Sequence, residues 1–311
     1  NNDDAYRTAL VLHEAGLSVP AIVDARPSAT GDLPQAAREA GIRVLTGTGI
    51  AEVKGRKSVT GVVLCAQAGE GAATDEIACE AVAMSGGWSP VVHLWSHCGG
   101  KLIWDAERSH FRPDAARAPT GHDGKPFVIT AGVVLADAET AAGAAADALG
   151  RSLPDADAAG TNDPHEAPMA PVWIMPQGAG PAKRMKMWLD YQNDVKVSDV
   201  RLAAQEGYES VEHTKRYTTL GMATDQGKLS NINGLATLAG ALDAEIPSVG
   251  TTTFRPPYHP ISMGAIAGAA RGDTFQPIRR TPLHDWHESN GAIWEPVGQW
   301  RRPYAYVQSG E

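Results

Sequence analysis

The run from Val211 to Lys228, VEHTKRYTTLGMATDQGK, constrains this chain more than any other segment, because it crowds cationic, hydroxyl, amide and glycine groups together. Burying such groups is costly unless each finds a partner. The run must therefore bind an anionic, polar ligand, seal a buried interface, or stay a solvated turn with a solvated Lys-Arg face. For a ligand, Lys215 and Arg216 supply positive charge, and Thr218, Thr219 and Thr224 supply hydroxyls. Gln226 adds an amide, and Gly221 and Gly227 let backbone N–H groups approach closely. Together they suit a phosphate and a planar amide-bearing ring.

Bulk composition narrows the partners. The 311 residues allow about two domains, and a hydrophobic share of 43% is ordinary for a soluble protein with a sizeable core. A formal net charge of −9 argues against nucleic-acid and membrane-surface partners. Cys65, Cys79 and Cys98 are too scattered for a disulfide framework and form no CxxC pair, which fits a reducing cytoplasm. No signal peptide or apolar run of membrane-spanning length is legible, so a soluble, cytoplasmic location is expected.

The N-terminal part reads as α/β. Asp4 is placed to cap a helix whose Tyr6, Ala9, Leu10 and His13 recur at helical spacing, and VPAIVDARP reads as a buried strand. A strand ending in Asp24 is half of a βαβ dinucleotide unit, in which the acid bonds a ribose hydroxyl and Arg26 meets phosphate. The glycine fingerprint is missing, and Asp3 and Asp4 stand where they would repel pyrophosphate. A second helix (LPQAAREAG), a strand (IRVLTG) and two strands around SVTGVVLCAQ and DEIACEAVAM follow. His93 and His97 have an i, i+4 spacing a metal accepts on a helix, but Pro90 and the glycines after Cys98 predict little helix there.

Further on, Phe127 to Thr130 reads as a strand before a glycine turn and an alanine-rich helix, and the stretch from about Arg151 to Pro181 as a linker. MKMWLDYQNDV predicts a strand and turn, and one helix is expected from Ser198 through VEHTKRY. Asp190, Asn193 and Asp194 read as caps sooner than as an acid-base or metal cluster. A helix after Ser230 or Asn231 leads into the rigid, proline-rich FRPPYHP, in which Arg255 could stack on or bond a partner. No Ser-His-Asp order or activated thiol is present, so no catalytic residue is assigned.

Several of these stretches carry a resemblance. SGGWSP with GGKLIWD resembles the second, NAD-type domain of the two-dinucleotide-domain disulfide reductases, and KPFVITAGVVLADAETAAGAAADALG resembles their return into the first domain. RRTPLHDWHESNGAIWEPVGQWRRPYAY resembles the beginning of an aminomethyltransferase-like, folate-binding domain. Taken with VEHTKRYTTLGMATDQGK and GTTTFRPPY, the order of these stretches resembles the α subunit of heterotetrameric sarcosine oxidase.

The resemblance implies an α/β protein that is part of a disulfide-reductase-like NAD/FAD fold, continued by a connecting α/β segment. It places an inner NAD-type domain lacking its first strand at 1–105, a return segment of the outer domain at 106–155, a linker and interface segment at 156–275, and the start of the folate domain at 276–311. The N- and C-terminal regions of the family are expected outside this sequence. NAD is expected in this subunit, its phosphates near Ala131, Gly132, Val133, Ala136, Ala138 and Thr140, although these small residues could equally serve close helix-sheet packing.

FMN is expected at the interface with a β partner, with Lys215 and Arg216 on phosphate and Thr218, Thr219 and Gln226 on ring or ribityl atoms. FAD is expected in β, tetrahydrofolate as co-substrate, and γ and δ chains as further partners. His284, Asp285, His287 and Glu288 look like a metal cluster, but the resemblance places them in a structural TPLHxWH motif, so no metal is expected. The implied function is support of sarcosine oxidation to glycine and hydrogen peroxide with one-carbon transfer to tetrahydrofolate. The alternatives are the large subunit of an NAD- or flavin-dependent opine or amino-acid dehydrogenase, and a purely structural NAD-containing scaffold.

Overall fold

Tyr6 and Ala9 lie one turn apart on α1 (Asp4–Glu14) and are both buried. That apolar stripe packs in one core with Ile22 of β1 (Ile22–Val23), Ala37 of α2 (Asp32–Glu39) and Ile42. The protein is described here by a computed structural model covering residues 1–130, 138–152, 169–255 and 257–307. In it β1 pairs in parallel with β2 (Val44–Leu45) in the register Ile22↔Val44 and Val23↔Leu45, with α2 as the crossover. This is the predicted βαβ unit. Asp4 does not cap α1: the cap position is Asp3, which makes no side-chain cap bond, the Asn2 side-chain oxygen accepts the Asp4 N–H at 3.1 Å, and the Asp4 carboxylate meets Arg7 and Trp88.

An antiparallel meander of β3 (Thr48–Gly55), β4 (Val59–Ala66) and β5 (Ala73–Ala78) follows, with Val62, Leu64 and Cys65 of its central strand buried. Next come the single-turn helix α3 (His93–His97), the hairpin of β6 (Leu102–Asp105) and β7 (His110–Pro113), and the helix α4 (Ala138–Ala148). As Pro90 and the glycines after Cys98 predict, there is little helix here: α3 is a single turn of five residues, anchored by buried Trp95, whose indole N–H donates to the Lys101 carbonyl at 2.8 Å. The strand predicted at Phe127–Thr130 is absent. Pro126 makes only an isolated bridge to Thr120, and Phe127 N–H bonds the Pro119 carbonyl at 3.2 Å, which leaves no ladder to extend.

After α5 (Pro181–Arg184), the hairpin of β8 (Trp188–Asp190) and β9 (Val195–Lys196) leads directly into α6 (Val197–Gln205). The Asp199 carboxylate accepts the Lys196 N–H at 2.9 Å and caps this helix. The single helix predicted from Ser198 is two. Gly207, at φ 92°, ends α6 with Tyr208 N–H on the Ala203 carbonyl and Gly207 N–H on the Ala204 carbonyl, and α7 (Val211–Thr218) starts afresh. α8 (Asn231–Leu242) completes a core in which Val200, Val211, Leu220, Leu235 and Leu238 meet.

The chain divides into two compact units, Asn1–Tyr258 and His259–Glu311. The second holds the short helices α9 (Met263–Ala267) and α10 (His284–Ser289) and the antiparallel hairpin of β10 (Ala292–Val297) and β11 (Trp300–Tyr306). Among the described residues no helix is long and apolar enough to cross a membrane.

Asp24 and Arg26 do not face a nucleotide. They are 1% and 5% exposed, and the Arg26 guanidinium bridges Asp24 and Asp3 at 2.8 Å each. Asp24 also accepts the Tyr6 hydroxyl at 2.7 Å and the Arg26 N–H at 2.9 Å. Burial raises the Asp24 pKa, but the Arg26 and Tyr6 hydrogen bonds outweigh it and hold the carboxyl below its usual range. The acid and the arginine that would read ribose and phosphate are thus spent on each other, with Asp3 in the place of a glycine turn. Arg26→Leu, which removes the buried positive charge shared by Asp3 and Asp24, should destabilise the protein by about 3–5 kcal/mol, and Tyr6→Phe by about 1–2 kcal/mol. Urea unfolding of Arg26→Leu at the wild-type midpoint would overturn the assignment.

Candidate functional site

Residues Thr251–Arg255 lie in no helix or sheet, and the prolines that follow in the sequence cannot donate, so the main-chain groups here need side-chain partners. They find them in the polar run. The Thr253 N–H donates to the Glu212 carboxylate and the Thr253 carbonyl accepts the Lys215 ammonium, each at 2.6 Å. Arg255 N–H donates to the Gln226 side-chain oxygen at 3.2 Å, and the Tyr258 carbonyl accepts from Lys228 Nζ at 2.7 Å. The amide of Asn231 donates to the Thr252 hydroxyl at 2.9 Å. From the other side His97 Nε2 accepts the Phe254 N–H at 3.0 Å.

Aromatic packing reinforces these bonds. The His93 ring meets Phe254 edge-on with centroids 3.4 Å apart and Tyr258 at 4.8 Å, and Lys228 Nζ sits 3.9 Å from the Tyr258 ring centre. Burial, then the charges of His97, Lys228 and Lys215, lower the His93 pKa to about 4. Burial likewise pushes the Lys215 ammonium below its ordinary value; Glu212 opposes this, and Arg255 and Arg216 add to it. His93 and His97 therefore hold the extended segment, in keeping with a structural role.

The glycines of the run serve packing. Gly221 and Gly227 have φ of 68° and 72°, and a Cβ on either would stand 2.2 or 2.1 Å from the Asn231 side-chain oxygen. Their N–H groups are already used, Gly221 on Asp190 at 2.8 Å and Gly227 on Asp225 at 3.1 Å. Asp190, buried, also accepts from Gln192 N–H at 2.9 Å and Asn193 N–H at 3.1 Å, so it caps the hairpin turn, where a helix cap was expected, and ties that turn to the run.

The candidate flavin contacts are distributed accordingly. Lys215 is buried under the segment, whereas Arg216 is exposed and only loosely paired with Glu212 at 3.6 Å. Thr218 donates to the Thr214 carbonyl at 2.8 Å, and exposed Thr219, the left-handed C-cap of α7, donates to the Thr218 carbonyl at 2.6 Å. Gln226 donates to the Ala223 carbonyl at 3.0 Å besides accepting from Arg255. Glu212, Lys215, Arg216, Met222, Thr253 and Arg255 line a cleft of about 230 Å³. Across the Thr251–Phe254 backbone lies a second cavity of about 710 Å³, walled by Lys101, Trp104 and Phe111. The cleft brings together the cations of α7 and Arg255, a residue sequence reasoning had assigned only a general partner contact. Lys228, His97 and Glu212 were legible as holders only through the proline-rich run, whose backbone has to be satisfied from outside.

Of the nucleotide candidates, Ala131, Gly132, Val133 and Ala136 lie outside the described residues. Ala138 and Thr140 fall in the first turn of α4.

Residues 184–270, which contain the Thr251–Tyr258 segment and the side chains that clamp it except His93 and His97, match the family model of the sarcosine oxidase A3 domain. The whole chain is 40% identical over 314 residues to the sarcosine oxidase subunit alpha of Rhizobium meliloti (strain 1021), of which it covers 30%. It is 37% identical over 326 residues to that of Corynebacterium sp. (strain P-1), of which it covers 33%. The chain is homologous to sarcosine oxidase α subunits. It spans about a third of the length of these relatives, and the dehydrogenase and scaffold alternatives are not favoured by them. In fold, it resembles the crystal structure of L-proline dehydrogenase from P. horikoshii, with a TM-score of 0.54 and 17% identity over 76% of this chain and 47% of that one. The likeness shows a shared mixed α/β fold.

Asp190→Ala should cost about 3 kcal/mol, since it leaves the buried Gly221 N–H without its acceptor; an unchanged urea midpoint would contradict the hub role. His93 makes a pH-dependent contribution. Its folded pKa of about 4 lies below the roughly 6.5 of an unfolded imidazole, so the unfolded state takes the proton first as pH falls. The contribution is present above pH 6.5 and falls by about 2 kcal/mol between pH 7 and pH 4.5. Unfolding free energies at pH 7 and 4.5 should differ less in His93→Phe than in wild type by that amount.

Proposed function

We propose that this protein is part of the α subunit of a heterotetrameric sarcosine oxidase and supports the oxidation of sarcosine to glycine and hydrogen peroxide, with one-carbon transfer to tetrahydrofolate. Its homology over the whole chain carries the reading. In this proposal residues 1–155 derive from a disulfide-reductase-like, two-dinucleotide-domain fold, residues 156–275 form a linker and interface segment, and the segment from 276 begins an aminomethyltransferase-like domain. NAD lies in this subunit around residues 131–140, FAD lies in a β partner, and γ and δ chains complete a cytoplasmic complex.

FMN is assigned to the α7 cleft, at an interface with β. The donor set suits its phosphate: exposed Arg216 and Arg255 flank the cleft mouth, and the Lys215 ammonium adds charge from beneath. Guanidinium groups bind phosphate bidentately and keep their charge at any working pH. Thr218 and Thr219 have hydroxyl lone pairs, and Gln226 a second amide hydrogen, beyond their internal bonds; these would meet ring or ribityl atoms. When bound, the flavin supplies electron transfer, while this chain binds and orients it. The clamp keeps the Thr253–Arg255 wall of the cleft rigid.

Arg216→Ala combined with Arg255→Ala should lower the FMN content of the purified complex by about 10-fold or more, since two charge-assisted contacts are lost. Flavin released by denaturation and separated by chromatography measures it. Unchanged FMN content would remove the cleft from the proposal, and the absence of β, γ and δ chains from a native mass spectrum of the complex would remove the heterotetramer.

A further inference from the structure

His284 is 2% exposed, and among the described residues neither of its ring nitrogens has a hydrogen-bond partner. An imidazole always carries at least one N–H and, when neutral, one strong acceptor, so a buried ring left without either partner needs an explanation. The ring is held rigidly, stacked on Trp294 with centroids 4.2 Å apart and planes 21° from parallel. One of its nitrogens and one carboxylate oxygen each from Asp285 and Glu288 all lie within 4.8 Å of one another. His284 and Glu288 are i and i+4 on α10, neighbours on one helix face.

From this geometry we propose a divalent transition-metal site at His284, Asp285 and Glu288. The sequence suggested a four-residue cluster and, through the resemblance, a structural motif. The structure separates the fourth member, because His287 Nδ1 is bonded to the Tyr306 hydroxyl. The three that remain offer one imidazole nitrogen and two carboxylates. This borderline set suits zinc better than magnesium or calcium, which take oxygen ligands alone. Metal bonds of about 2.0–2.2 Å put ligand atoms roughly 3.3 Å apart in a tetrahedral site. Asp285 and Glu288 are exposed and can rotate to close the gap, while the stacked His284 ring stays in place. Three protein ligands leave a fourth position for water or a partner group.

Zinc chloride titrated calorimetrically into the purified protein, after EDTA treatment and dialysis, tests the site. The expected result is saturable zinc uptake whose affinity drops at least about 10-fold in the Asp285→Asn/Glu288→Gln variant, the loss of direct ligands costing no less than that of their supporting groups. Both substitutions are nearly isosteric and at exposed positions, and a thermal melt in EDTA superimposing on wild type shows that the metal-free fold is kept. Zinc-edge X-ray absorption should show one imidazole with oxygen ligands and no sulfur. No zinc uptake, unchanged affinity in the double variant, or sulfur in the coordination shell would each overturn the proposal.

Discussion

The organisation of the larger unit depends on how an extended backbone with no strand beside it satisfies its hydrogen bonds. A sheet ladder would solve this with repeating main-chain pairs, but prolines at 256 and 257 remove two donors and bar the segment from a central strand. Instead Glu212, Lys215, Gln226, Lys228, Asn231 and His97 each supply one bond along the run from Thr252 to Tyr258. Bonds to a charged partner contribute about 1.5–3 kcal/mol each, more than neutral ladder bonds. The helices and loops that carry these side chains are thereby tied to one rigid wall.

That wall explains the division of labour among the cations. Lys215 is buried and desolvated, and its ammonium is committed to the Thr253 carbonyl. Arg216, on the next position of α7, turns outward, where a guanidinium keeps its charge and its fork of donors. Adjacent basic residues on a helix point about 100° apart, so this Lys-Arg pair places one charge inside for structure and one outside in solvent. The same economy appears at the N-terminus. There Arg26 neutralises Asp3 and Asp24 inside the βαβ unit, so that all three charges are committed to one another.

Much of this was legible in the residues. The βαβ order, the strand and turn of β8–β9 and the position where α8 starts follow from local periodicity and turn residues, which a short window contains. Failures occurred where the deciding partner is distant. The strand expected at Phe127 had suitable residues but no neighbour to pair with, and the long helix after Ser198 broke at Gly207, a signal that was present but outweighed by the apolar spacing on either side.

The polar run shows why sequence left its alternatives open. A ligand site and a sealed interface demand the same residue types, since both must satisfy buried donors and acceptors; only the identity of the partner differs. The glycines decide between them more sharply than the charges do. Were Gly221 and Gly227 present to bring N–H groups against phosphate, those groups would point into open space; they point at Asp190 and Asp225, and the missing Cβ atoms make room for the Asn231 amide. The run is therefore first an interface between the extended segment and its own helices. Any ligand bound there meets what projects beyond that interface, which confines its charged contacts to the Arg216 and Arg255 side of the cleft.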